Sequence, residues 1–161
     1  EWLFLPGMLF GSSAKWWGDF KERKTAHEGV DIVYFRDTAG RMRQLDTQMK
    51  IPSMAKGVLC NTCDDFLGQT LVIETCEESD SSWRTLMVYA HIKADPSLSA
   101  GDIIQPMQIL GHVHETVKNP QLPPHLHFSC FSVPRDIPFR ELNWTLFCNA
   151  KKIVMIPPFS I

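Results

Sequence analysis

A mainly β domain with little helix is what this sequence predicts, on three observations. Eleven prolines and nine glycines are spread through 161 residues; they cut the chain into short pieces, because neither residue sits well inside a regular element. The pieces between them are rich in β-branched and aromatic side chains, which suit a pleated surface. No stretch keeps the apolar spacing of a helix for more than about three turns.

The elements follow in chain order. Residues 2–10 are apolar but carry Pro6 and Gly7 and lack a basic flank, so they do not read as a secretory signal. The chain begins at Glu1 rather than methionine, which leaves room for a leader removed upstream. Strands are expected at residues 30–35, 57–60, 70–75, 85–91, 108–113, 125–131 and 153–156. The polar, acidic residues 77–82 lie between two apolar runs and predict a hairpin connection. Residues 115–124 form a loop stiffened by Pro120, Pro123 and Pro124. One short helix is expected around residues 138–146, with Pro138 near its start.

Composition narrows the function. With 44% apolar residues the chain is long enough for one domain with a real core. Sixteen basic and eighteen acidic side chains leave a net charge of −2, which argues against nucleic acid or an anionic membrane as partner. No apolar run reaches the roughly 20 residues of a membrane-spanning helix. Five cysteines, Cys60, Cys63, Cys76, Cys130 and Cys148, cannot all pair within one chain, so a dense disulfide framework is not expected.

Three clusters carry chemistry. In His27-Glu28-Gly29-Val30-Asp31 an extended backbone puts His27, Gly29 and Asp31 on one face and Val30 and Ile32 on the other. An imidazole and a carboxylate then share a surface with no side chain between them, an arrangement suited to a metal ion. In Pro124-His125-Leu126-His127-Phe128 the two imidazoles share a face. In Tyr89-Ala90-His91 a strand delivers a third histidine near its end. Singly, each has an ordinary explanation as a surface pair, an incidental triplet or an edge residue; in this order and combination they do not.

The succession H-x-G-x-D, Y-x-H, the stretch from Ala100 to Gly111 containing Gly101, Gln105 and Ile109, and H-L-H-F resembles the M23 (lysostaphin/LytM-like) zinc metallopeptidases over residues 15–131. The resemblance implies an antiparallel β-sheet domain with an open substrate groove. It implies Zn2+ held by His27, Asp31 and His127, with His91 and His125 as the catalytic pair. Three protein ligands leave a fourth position for water, whose pKa the metal lowers. The implied activity is peptide-bond hydrolysis in bacterial peptidoglycan cross-links or stem peptides, outside the cytoplasm. Which of His91 and His125 is the base stays open, as does a non-hydrolytic regulator or cell-wall binding module of the same fold.

Other residues compete for attention. Cys60-Asn61-Thr62-Cys63 has the spacing of a redox pair or half a zinc knuckle, but no second pair completes a knuckle, so a turn holding a disulfide or two free thiols is expected. A redox protein built on this pair predicts indifference to chelators. His112 and His114 form a second H-x-H without a carboxylate partner and read as loop or substrate-contacting residues. Ser129 stands where the family often has an acidic residue, so His127 lacks a carboxylate support there. Trp16, Trp17 and Phe20 fit either a cleft rim or the core. Residues 132–161, including Trp144 and Cys148, match nothing in the family pattern and carry no functional reading.

Overall fold

Two long strands that alternate side chains between two buried faces organise the chain. The computed structural model describes residues 1–76, 82–115, 121–149 and 151–159. Its strands are β1 (Trp2–Leu3), β2 (Gly29–Ile32), β3 (Tyr34–Arg36), β4 (Met42–Gln44), β5 (Lys50–Pro52), β6 (Gly57–Asp64), β7 (Gln69–Thr75), β8 (Trp83–Ala94), β9 (Ile103–Ile104), β10 (Ile109–Val113), β11 (Leu126–Pro134) and β12 (Val154–Ile156). All described pairings are antiparallel, so the mainly β fold expected from the sequence is the one found.

The larger sheet runs β12-β11-β8-β7-β6-β9, and β1-β3-β4 form a small separate sheet. The outer edge of β11 is shared: β2 pairs with its first half and β12 with its second. Strand β8 also changes partner. It lies on β11 up to the Ala90–His127 pair and on β10 from Ile92 onward. His91 stands at the switch, with a left-handed φ of 62°, a conformation that is uncommon for a residue with a Cβ and that the surrounding contacts must hold.

One face of the sheet buries Val30, Ile73, Tyr89, Phe128 and Cys130 in the main core. The opposite face places Val88, Phe131 and Val133 against Leu142, Phe147 and Ile153. The segment beyond Phe131, which had no functional reading from sequence, therefore covers the second face of the sheet. Leaving those apolar side chains in water would cost roughly 1.5–3 kcal/mol each.

Several expectations change in detail. The strand expected at 30–35 is split at Val33, whose side chain enters a third cluster with Met8, Trp16 and Leu122. The helix expected at 138–146 is divided into a 3-10 turn, Phe139–Glu141, and a short α1, Trp144–Phe147. Asn143 makes the break, because its side-chain oxygen accepts from the backbone N–H groups of Thr145 and Leu146 as an N-cap. Cys60 and Cys63 lie within β6 rather than in a turn, and both are free thiols. The hairpin connection expected at 77–82 falls outside the described residues except for Ser82, although β7 and β8 on either side pair antiparallel. Residues 116–120 of the expected proline loop also lie outside them. Among the described residues no helix is long and apolar enough to cross a membrane.

Candidate metal centre

Strands β2 and β11 lie side by side with Asp31 opposite His127 and Gly29 opposite Ser129. The alternation that sends Val30 and Phe128 into the main core turns Asp31 and His127 to the other face. His27 arrives just ahead of β2, tied by its backbone N–H to Ser12 O. Gly29 keeps this junction open: a Cβ there would meet the Ser129 hydroxyl, Phe128 O at 2.5 Å and His127 Nε2 at 2.7 Å.

The result is a triangle of ligand atoms. Asp31 Oδ1 lies 2.8 Å from His127 Nδ1 and 3.2 Å from His27 Nε2, and the two nitrogens are 3.2 Å apart. For metal bonds of about 2.1 Å a tetrahedral site has an edge of roughly 3.4 Å, so small outward shifts would admit zinc. Among the described residues this is the set of His, Cys, Asp and Glu side chains whose ligand atoms all fall within 4.8 Å of one another.

Hydrogen-bond accounting makes the donor set fit a cation. His27 Nδ1 is 3.3 Å from Leu9 O, and a carbonyl only accepts, so Nδ1 carries the hydrogen and Nε2 presents a lone pair. That lone pair faces the Asp31 carboxylate, an acceptor against an acceptor. His127 Nε2 is 2.7 Å from the Ser129 hydroxyl; the hydroxyl accepts from Nε2–H when the Nδ1 lone pair is turned toward an ion. Ser129 thus supplies, as a hydroxyl, the support that a missing carboxylate had put in question.

The second oxygen of Asp31 is held from behind. Trp16 Nε1–H donates to Oδ2 at 2.6 Å, and Arg23 Nη2 lies 3.4 Å from it while also donating to Gly7 O, with Arg23 Nε donating to Ala14 O. Burial works against ionisation of Asp31, yet when the neighbouring rings are protonated in the metal-free site the hydrogen bonds of His127 and His27 and the charges of His127 and His125 outweigh it, and the carboxyl is held well below its usual range. Trp16 therefore belongs to the core and to the site at once, whereas Phe20 is exposed.

His91 and His125 complete the cluster. Their rings are 5.0 Å apart, and His91 lies 5.7 Å from the His127 ring. His125 Nδ1 is 2.9 Å from Pro123 O, so its hydrogen is on Nδ1 and its Nε2 turns inward, 3.8 Å from Asp31 Oδ1. Burial pushes His125 down to about 4 despite the opposing pull of the Asp31 carboxylate. All five residues singled out by the sequence line one cleft of about 240 Å3, walled by Trp17, Phe66 and Trp144.

Comparison of the sequence with protein-family profiles and with curated proteins finds no match. Among solved structures, the fold is similar to a point mutant of the catalytic domain of the prophage-encoded M23 protein EnpA from Enterococcus faecalis, at 19% identity over 75% of each chain and a TM-score of 0.46.

His112 and His114 do not join the cluster. His112 lies in β10, and His114 Nδ1 is 2.7 Å from Glu115 O at the edge of a separate hollow beside Asp64 and Lys93. Sequence reasoning missed Arg23, Asp65 and Thr70. Asp65 carried a partial signal, since an aspartate three residues before a glycine between two strands marks a side-chain-capped turn.

Proposed function

We propose that the chain is a zinc-dependent endopeptidase that hydrolyses peptide bonds, acting outside the cytoplasm on peptidoglycan cross-links or stem peptides. The observation that carries this reading is the convergence of His27 Nε2, Asp31 Oδ1 and His127 Nδ1 with lone pairs facing one another, beside two further imidazoles in the same cleft. A zinc ion, if held by those three atoms, would supply Lewis acidity and lower the pKa of water at its open position. His91 and His125 pack against each other in the same cleft, and each can take or return a proton or steady a developing negative charge. The five side chains are buried, which strengthens the charge interactions among them. The substrate class rests on the succession of motifs, which resembles that of cell-wall peptidases.

The test is chelation followed by zinc return, paired with muropeptide analysis of digested cell wall. New peptide termini that appear only in the zinc-loaded form support the reading. Stoichiometric zinc with no cleavage would overturn it in favour of a binding module.

A further inference from the structure

Beneath the cleft floor, one carboxylate collects five hydrogen bonds. Asp65 occupies the turn between β6 and β7, and its side chain is almost fully buried. Its Oδ1 accepts from the N–H groups of Leu67 and Gly68 at 2.8 and 2.7 Å and lies 3.0 Å from His91 Nδ1. Its Oδ2 accepts from the His91 N–H at 3.0 Å and from the Thr70 hydroxyl at 2.8 Å. The Thr70 hydroxyl in turn accepts from Trp144 Nε1–H at 2.8 Å. Trp144 belongs to α1, beyond the stretch that carries the motifs, and its ring stands edge-on to His127 at 5.7 Å.

We propose that Asp65 is the positioning residue for His91, holding its hydrogen on Nδ1 and its Nε2 open to the cleft, and that Trp144 acting through Thr70 holds Asp65. This rests on the peptidase reading for its catalytic purpose, but not for its geometry.

The direction of every bond is forced. An indole N–H only donates, so the Thr70 oxygen accepts from Trp144 and its single hydrogen is left for Asp65. An ionised carboxylate only accepts, so His91 Nδ1 must carry a hydrogen and neutral His91 has a bare Nε2. The turn alone would need only Oδ1; the whole of Oδ2 is committed to His91 and Thr70. The two contacts with His91, one from its backbone and one from its ring, also hold the residue in its left-handed conformation. Phe66, from the same turn, packs edge-on to the His91 ring at 4.9 Å and closes its other side. His125 has no such carboxylate, its Nδ1 being turned to the neutral carbonyl of Pro123.

The experiment uses the zinc-loaded full chain labelled with 15N, and reads the His91 ring nitrogens by long-range proton–nitrogen correlation alongside kcat and KM on purified peptidoglycan. Wild type is expected to show a protonated Nδ1 and a bare Nε2 at His91. Thr70→Val keeps shape and Trp144→Phe keeps an aromatic ring, and each removes one hydrogen of the relay. Both should mix the two His91 tautomers and lower kcat about 10–100-fold with little change in KM. Thr70→Ser should restore spectrum and kcat together. A hydrogen on Nε2 in wild type, or tautomers and kcat unmoved in both variants, would overturn the relay. The spectra report on it without turnover, so a chain that binds zinc and shows the relay but cleaves nothing refutes the peptidase reading alone.

Discussion

Trp16 donates its indole N–H to Asp31 Oδ2 at 2.6 Å, and this leaves Oδ1 as the carboxylate oxygen that faces His27 and His127. Metal ligands turned by fixed partners bind better than free ones, because the ordering cost is met before the ion arrives. Trp16→Phe keeps an aromatic ring beside His125, which the indole meets edge-on at 5.4 Å, and removes the N–H donor together with the second ring. Zinc affinity should fall about 10–100-fold, measured by competition with a chromogenic chelator. An unchanged affinity would mean that Asp31 needs no help from the indole.

Gly29 faces Ser129 across the β2–β11 pair, and a methyl group has nowhere to go. Its nearest obstacles include the backbone oxygen of Phe128 at 2.5 Å, which cannot move without disturbing the strand pairing. Gly29→Ala should destabilise the fold by at least about 1–3 kcal/mol and weaken zinc binding at the same time, since His127 Nε2 lies at 2.7 Å from the added atom. Urea unfolding with and without zinc separates the two effects. A variant of native stability and affinity would contradict the packing described.

Removal of metal bears on stability as well as activity. Without a cation, the lone pairs of His27 and Asp31 face each other at 3.2 Å in a buried site. A ligand that binds only the folded state stabilises it by about 4.1 kcal/mol at a free concentration 1,000 times its Kd. Chelation should therefore lower the melting midpoint, zinc should restore it, and Asp31→Ala should erase the difference. Calorimetry of the three forms decides the matter.

The parts of the site that follow a strict two-residue alternation were legible in the sequence. Gly29 between His27 and Asp31, and Leu126 between His125 and His127, are local patterns whose geometry is set by the pleat. The support behind them was not legible. Only Ser129, two residues from His127 on the same strand, follows the alternation; Trp16 and Arg23 reach Asp31, and Asp65 reaches His91, through contacts whose pairing depends on how distant loops pack, and nothing in local spacing records that. The same holds for Trp144. Its position over the cleft depends on the apolar residues of the last segment covering the second sheet face, a tertiary event with no periodic signature of its own. The split of residues 30–35 at Val33 has a similar origin, since a third cluster claims that side chain.

The cysteines should sort by burial. Burial pushes the Cys60 thiol up to about 11 and the Cys130 thiol up to about 12, so neither offers thiolate at neutral pH. Cys76 and Cys148 are exposed. A thiol reagent at pH 8 should label Cys76 and Cys148 in the native protein and reach Cys60 and Cys130 only after unfolding, as read by peptide mass mapping. Rapid labelling of Cys60 in the folded state would count against its place in the second core.

Acid should act through Asp65. Burial alone would raise its pKa, but the hydrogen bond and charge of His91 and the N–H groups of His91 and Leu67 hold it far below the ordinary carboxylate range. A folded-state pKa below the unfolded value of about 3.9 contributes stability that is fully present above that value and is lost as pH falls through the folded pKa. Asp65→Asn removes this contribution, so the variant should be less stable at pH 7 and should lose less on acidification below about pH 4. Asp31 titrates in the same direction in both proteins, so the difference between their unfolding midpoints across pH isolates Asp65. Metal-free samples remove the release of zinc from the comparison. Two curves that stay parallel down to low pH would show that the Asp65–His91 contact is not a charged one.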